Sequence, residues 1–222
     1  FDSILQTNED FATVSDENRL KFSRLLLSKS GAHEALDDYP GSISSLKTAD
    51  NILRETAVKF CSTDISESFV KIQLETGRIS IKAGNYSDAE SSLTDAIELL
   101  DKLMESMKVI PVEQVSLKVR LSRHLAEVLL FLQKYDQALE QIENAEHLIH
   151  NMTGAPENWD VNEVLLDVLM VKSMVLASRG DYESALKSSG AAVGIYNDVS
   201  ADELPFKIKR MLTGLYSNSA LM

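Results

Sequence analysis

Three observations predict an all-α fold made of about four helical hairpins and a terminal helix. Tyr39, Tyr86, Tyr135 and Tyr182 recur at intervals of 47, 49 and 47 residues. Small and large apolar residues occupy the same offsets from each of these tyrosines. The 222 residues contain nine Gly and four Pro, few enough to favour long helices with few interruptions. Together the three observations indicate one helical unit that is repeated along the chain.

The residues around each tyrosine alternate in size along one helical face. The residues three and ten positions after it are all small: Ser42, Ala89, Ala138, Ala185, Ala49, Ala96, Ala145 and Ala192. Those seven and thirteen positions after it are large and aliphatic, except Ser189. Nine positions before it the residues are again small: Ser30, Gly77, Ala126 and Ser173. Because steps of three and four share one helical stripe, the pattern predicts pairs of helices in close contact at the small residues.

The register places the helices in order along the chain. It predicts first helices over 16–36, 65–83, 112–133 and 161–179, and second helices over 41–60, 87–108, 136–151 and 182–197. Units over 16–60, 65–108, 112–151 and 161–197, with a terminal or capping helix over 205–222, would make residues 1–222 a single repeat domain. The longer connections at 151–160 and 197–205 are the predicted exposed loops.

The turn before each second helix has suitable chemistry. Gly84 and Gly180 can adopt a positive φ, and Asp136 and Asp181 lie where a carboxylate favours a helix N-terminus. The sequence therefore predicts a tight turn between the two helices of each pair.

Composition narrows the class of partner. The net charge of −12 opposes nucleic acid, whose backbone normally needs a basic surface. No apolar run is long enough to span a bilayer, and Cys61 is the single cysteine, so no disulfide can form within the chain. We therefore expect a protein or peptide partner, no nucleic acid, no membrane insertion, and a cytoplasmic or nuclear location.

The repeated residues resemble the tetratricopeptide repeat (TPR). The second unit reads Gly77, then Gly84-Asn85-Tyr86, Ala89, Leu93 and Ala96, and the third and fourth units repeat most of this pattern. The resemblance covers residues 16–198. The first unit departs from it at Ser42 and Asp37, and the period exceeds the 34 residues of the standard repeat. The chain is thus similar to long-repeat relatives such as kinesin light chain or the helical arms of separase and of anaphase-promoting-complex subunits, and the sequence does not distinguish among them. The resemblance implies a right-handed superhelix, or solenoid, that binds protein segments without catalysis.

The resemblance also implies where a ligand binds, because the first helices of TPR proteins line a concave groove. Carried over to this chain, the ligand-groove candidates are Lys71, Arg78, Lys82, Arg120, Arg123, Phe131, Met170 and Met174. The cations would hold an acidic or phosphorylated segment, and the apolar residues would supply adaptable contact. In the alternative interpretation the cations belong to a solvated face on which Glu67, Glu75 and Glu127 neutralise several of them, and the methionines are core residues.

Motifs that carry chemistry are absent from the sequence. There is no Gly-rich phosphate loop, no Cys-x-x-Cys and no Gly-x-Ser-x-Gly elbow. His147 and His150 follow Glu143 on one helix, but no ligand from another element is known to join them, so we expect a solvated helix end. The prediction is a noncatalytic scaffold or adaptor without metal or cofactor. The alternatives are a regulatory helical arm of a larger enzyme, suggested by chain ends that look cut, and a structural subunit of a multiprotein assembly.

Overall fold

The structure, a computed structural model, describes residues 14–58, 63–152, 159–197 and 204–219. Within these ranges all regular structure is helical and no strand occurs. The helices are α1 (Asp16–Ala35), α2 (Tyr39–Val58), α3 (Thr63–Lys82), α4 (Tyr86–Glu105), α5 (Val112–Phe131), α6 (Tyr135–Met152), α7 (Trp159–Arg179), α8 (Tyr182–Gly194) and α9 (Phe206–Ser219).

The helices agree closely with the sequence prediction. The four first helices are α1, α3, α5 and α7, and each second helix, α2, α4, α6 and α8, begins at its register tyrosine. The largest differences are at C-terminal ends, where α4 ends at Glu105 and α8 at Gly194, each three residues earlier than predicted. The predicted loops are only partly covered, since residues 153–158 and 198–203 lie outside the described residues, as does Cys61.

The chain divides into two compact units, Phe1–Ser106 and Met107–Met222. In the first unit the consecutive helices α1 to α4 pack in sequence, and the two first helices α1 and α3 also touch. In the second unit α5 to α8 pack in the same way, α5 touches α7, and α9 packs on α7 and α8. The single repeat domain over 1–222 stays a prediction.

The small residues of the register lie at the contacts within each hairpin. All eight residues at the three- and ten-residue offsets are completely buried. At Gly77 an added Cβ would lie 2.5 Å from Leu93 Cγ, so a larger residue there would require the Leu93 side chain or the helices to shift. Ser30 and Ser42 share a buried 2.7 Å hydrogen bond between their hydroxyl groups, and Ser173 and Ser189 share another of the same length. The serine exceptions of the register are thus paired with each other, which removes the cost of burying each hydroxyl alone.

The four hairpin turns share one backbone geometry. The residue two positions before each tyrosine has a positive φ: Asp37 (57°), Gly84 (76°), Gln133 (59°) and Gly180 (88°). In the second hairpin the Asn85 amide donates to Ser80 O at 2.8 Å and the Gly84 amide to Ile81 O at 3.0 Å. Equivalent bonds close the other three turns, so each first helix ends in a Schellman motif. Asp181 then caps α8, as its side chain accepts from the Ser184 amide at 3.2 Å.

The terminal helix predicted after Pro205 is present as α9. Ile208 and Met211 of α9 are buried together with Leu166, Leu169 and Tyr196 of the preceding hairpin. The helix therefore covers apolar surface of α7 and α8 that would otherwise face solvent.

Gln133 stands where two of the other turns have glycine, and its Cβ crowds the backbone at positive φ. Replacing Gln133 with Gly should raise the free energy of unfolding by about 1 kcal/mol. Urea denaturation followed by circular dichroism measures the change. The matched control Gln137→Gly, at an exposed position inside α6, should lower stability by about 1 kcal/mol. A destabilised Gln133→Gly variant would contradict the turn assignment.

The close contact at Ala96 has a second test. Ala96→Leu should lower the free energy of unfolding by roughly 1–3 kcal/mol, because completely buried Ala96 leaves no room for a longer side chain. Ala145→Leu should behave alike in the other unit. Ser91→Leu, at an exposed position of α4, is the control and should change stability little. Unchanged denaturation of both alanine variants would argue against the register.

Candidate functional site

The predicted cations of the first unit lie along α3. Lys71 is exposed, and no ion pair is shown for it within the described residues. Arg78 is partly buried, with 27% of its side chain exposed, and Lys82 is more open to solvent. The three side chains therefore differ in how freely they could meet a ligand.

Arg78 and Lys82 both bind Glu34, which comes from α1. The Arg78 guanidinium donates from Nη1 to Glu34 Oε1 and from Nη2 to Glu34 Oε2, each at 2.5 Å. Lys82 Nζ donates to Glu34 Oε1 at 2.6 Å, and Arg78 Nε donates to Glu75 Oε2 at 2.8 Å. This cluster of Glu34, Glu75, Arg78 and Lys82, here called the α1–α3 clamp, joins two neighbouring first helices.

The clamp changes the acidity of its members. The hydrogen bond from Arg78 is the main cause that lowers the pKa of Glu34 from 4.5 to about 2, against the opposing effect of burial. The bond to Glu34 likewise raises the pKa of Arg78. The Glu75 contact was among those considered from sequence. Glu34 was missed, because it lies 44 residues before Arg78 on another helix. Its position, nearly one repeat period upstream on the adjacent first helix, is the signal that could have revealed it.

The predicted cations of the second unit lie along α5. Arg120 is exposed, and the described part of the chain offers it no ion pair. Arg123 Nη1 donates to Glu127 Oε2 and to His124 Nδ1, both at 2.7 Å, and its Nη2 lies 3.9 Å from Asp167 Oδ1 on α7. Its Nε is buried without a hydrogen-bond partner among the described residues. Arg123, like Arg78, is thus mainly engaged within its own unit.

His124 is enclosed by this cluster. Burial is the main cause that lowers the pKa of His124 from its usual value of 6.5, although the carboxylate of Glu127, 3.4 Å from Nδ1, opposes the shift. Its ring is therefore neutral near neutral pH and accepts a hydrogen bond from Arg123 at Nδ1. Burial tends to raise the pKa of Glu127, yet His124 and Arg123 lower it overall. Arg123, His124 and Glu127 thus form a local network in which, of the buried side-chain atoms, only the Nε of Arg123 has no hydrogen-bond partner among the described residues.

The predicted apolar contacts differ in accessibility. Phe131, at the end of α5, is 46% exposed, and Met174 on α7 is 36% exposed. Met170 is partly buried and packs against the core that α7, α8 and α9 share. Phe131 and Met174 therefore each expose part of their side chain on the second unit, whereas Met170 is largely packed.

The histidine pair of α6 engages in local hydrogen bonds. His150 Nδ1 lies 2.8 Å from the carbonyl oxygen of Glu146, and the Asn151 side-chain nitrogen lies 3.3 Å from His147 Nδ1. Across the described ranges no group of three or more His, Cys, Asp or Glu side chains is placed to hold a metal ion. A search of the same ranges finds no helix with the length and apolar character that crossing a membrane requires.

Solved structures with TPR-like repeats are similar to this chain. A crystal structure of a putative kinesin light chain from Podosopora anserina, with nearly identical TPR-like repeats, has a TM-score of 0.67 and 13% identity, over 93% of this chain and 90% of that one. A TPR-like protein from Chlorobium tepidum has a TM-score of 0.53 and 18% identity, over 68% of this chain and 92% of that one. BtubC from P. vanneervenii has a TM-score of 0.56 and 11% identity, over 92% of this chain and 81% of that one.

The similarity to these proteins lies in the fold. No protein-family profile matches the sequence, and no curated protein matches it. The chain nevertheless has the TPR-like helical repeat fold, so the fold class predicted from the tyrosine register is confirmed.

The α1–α3 clamp makes the stability of the first unit depend on pH. The pKa of Glu34 is about 2 in the folded protein and near 4.5 in the unfolded chain. Its carboxylate therefore stabilises the fold above pH 4.5, and this stabilisation is lost as the pH falls towards 2. With allowance for solvent screening, the free energy of unfolding of the wild type should fall by about 2 kcal/mol more than that of Glu34→Gln as the pH is lowered from about 4.5 to about 2. Denaturant unfolding at several pH values measures the difference. The exposed control Glu105→Gln should follow wild type, and parallel curves for Glu34→Gln and wild type would contradict the clamp.

Proposed function

We propose that this protein is a noncatalytic interaction scaffold, a single TPR-like repeat domain over residues 1–222 that holds an acidic or phosphorylated segment of an intracellular partner. The segment binds along the first helices. Support comes from the fold, because stacked helical hairpins present extended surfaces that suit protein segments. The predicted groove residues supply the chemistry.

One observation carries the proposal. Two of the predicted groove residues, Lys71 on α3 and Arg120 on α5, are exposed cations. Neither has an ion pair among the described residues. Arg78 and Arg123 are instead held by carboxylates of their own units. Lys71 and Arg120 can therefore meet carboxylate or phosphate groups of a partner without first breaking an internal bond.

Apolar contact accompanies these charges in the second unit. Phe131 and Met174 expose large apolar surface on the first helices α5 and α7. An aromatic ring and a flexible thioether tolerate varied partner side chains. The preferred ligand is thus an acidic segment with neighbouring hydrophobic residues.

Affinity capture with a double charge reversal tests the proposal. Lys71→Glu with Arg120→Glu should lose the partners that wild type retains, and raised salt should weaken the wild-type capture. Arg78 and Arg123 are left intact, because reversing them would break contacts within the fold. The control Lys102→Glu with Lys108→Glu makes the same change in net charge at exposed positions outside the first helices. Equal partner sets from both variants would refute an acidic ligand on the first helices.

A further inference from the structure

The second unit contains an open groove of about 630 Å³. One wall is α6, with Glu140 and Glu143, and the opposite wall is α8, with Ser184, Lys187 and Ala191. Leu169 and Leu176 of α7 contribute an apolar floor. None of the ligand-groove candidates on the first helices lines it, so it is a separate surface.

Two ion pairs between α6 and α7 lie among the residues that line this groove. Lys172 Nζ lies 2.5 Å from Glu146 Oε2, and Arg179 Nη1 lies 3.3 Å from Asp136 Oδ1. Between them Glu140 and Glu143 are exposed, and the described residues include no ion-pair partner for either. Two carboxylates that have no ion pair in the described part of the chain therefore line the groove, and Lys187 lies on the α8 wall.

The corresponding gap in the first unit, between the second helices α2 and α4, is bridged by its own side chains. Lys47 Nζ of α2 lies 3.9 Å from Asp88 Oδ2 of α4, and Arg54 Nη1 lies 3.8 Å from Asp95 Oδ2. Arg54 also stacks 5.3 Å above the ring of Phe69. In that unit two cations from one second helix bind carboxylates of the next.

The repeat register shows what has changed in the second unit. The positions of Lys47 and Arg54, eight and fifteen residues after Tyr39, correspond to Glu143 and His150 after Tyr135. The positions of Asp88 and Asp95, two and nine residues after Tyr86, correspond to Ser184 and Ala191 after Tyr182. Where the first unit has two bridging cations, the second has an anion and a histidine, and the two carboxylates that the cations bind on α4 are replaced by small residues on α8. These changes leave the gap open and give its α6 wall an unneutralised negative charge.

We infer that this groove binds a basic segment of a partner protein, whose Lys or Arg side chains take the place that Lys47 and Arg54 fill in the first unit. The charged group lies against Glu140 and Glu143, and the aliphatic part of the side chain packs on Leu169 and Leu176. The net charge of −12 attracts such a segment from a distance. Lys187 on the opposite wall directs the basic group towards α6, because like charges repel.

A direct test uses the full chain and a fluorescein-labelled peptide of repeated Leu-Arg-Arg triplets, followed by fluorescence anisotropy. Glu140→Gln with Glu143→Gln should weaken binding about five- to tenfold, as expected for two partly exposed ion pairs. Lys187→Gln should tighten binding, because it removes a competing cation. The control Glu98→Gln with Glu105→Gln removes two exposed carboxylates of α4 and should leave the dissociation constant nearly unchanged.

A second variant closes the groove as the first unit does. Glu143→Lys with Ser184→Asp should install the counterpart of the Lys47–Asp88 pair, and it should abolish peptide binding while circular dichroism and the melting temperature show an intact fold.

Three results would overturn the inference. Binding could be equal for wild type and the Glu140/Glu143 variant, or a peptide with citrulline in place of arginine could bind as well. Sedimentation could instead reveal a dimer of the free chain that the same double substitution dissociates, which would make a second copy the occupant.

Discussion

The close approach of the two helices within each hairpin is the constraint on which the rest of this structure depends. Where Gly77 faces Leu93, one missing side chain makes room for another, and the completely buried alanines of the second helices extend that contact. Dispersion and the burial of apolar surface stabilise such packing only when small residues on one helix face large residues on the other. Ser173 and Ser189 satisfy the same constraint with a hydrogen bond between their hydroxyl groups. The contact within each hairpin therefore depends on the sizes of the facing residues rather than on charge.

The tight turns transmit this constraint along the chain. Four residues with positive φ end the first helices in the same way, so each second helix begins at its tyrosine and its small residues meet their partners. Glycine at two of these positions costs little, whereas Asp37 and Gln133 adopt the conformation with a Cβ present. Packing of the hairpin overrides this local cost, so the geometry persists where the glycine is missing.

Charged residues use the framework in two different ways. On the first helices, Arg78 and Arg123 are paired with carboxylates of their own units, whereas Lys71 and Arg120 are exposed and have no ion pair among the described residues. On the second helices, the first unit fills the gap between neighbours with Lys47 and Arg54, while the second leaves it open beside Glu140 and Glu143. The same hairpin thus supports different surfaces, because exposed positions can change without disturbing the buried stripe.

The sequence by itself determined the helices, their pairing and the turns, since small and large residues recur at fixed offsets and every hairpin is built from contacts close along the chain. It also identified cations on the first helices, although the groove they were predicted to line stays a prediction. Only the tertiary structure decided that Glu34 binds Arg78 and Lys82, and that Glu143 faces small residues of α8. The physical reason is that ion pairs depend on which helices become neighbours and how far each side chain reaches, and no local period encodes either property.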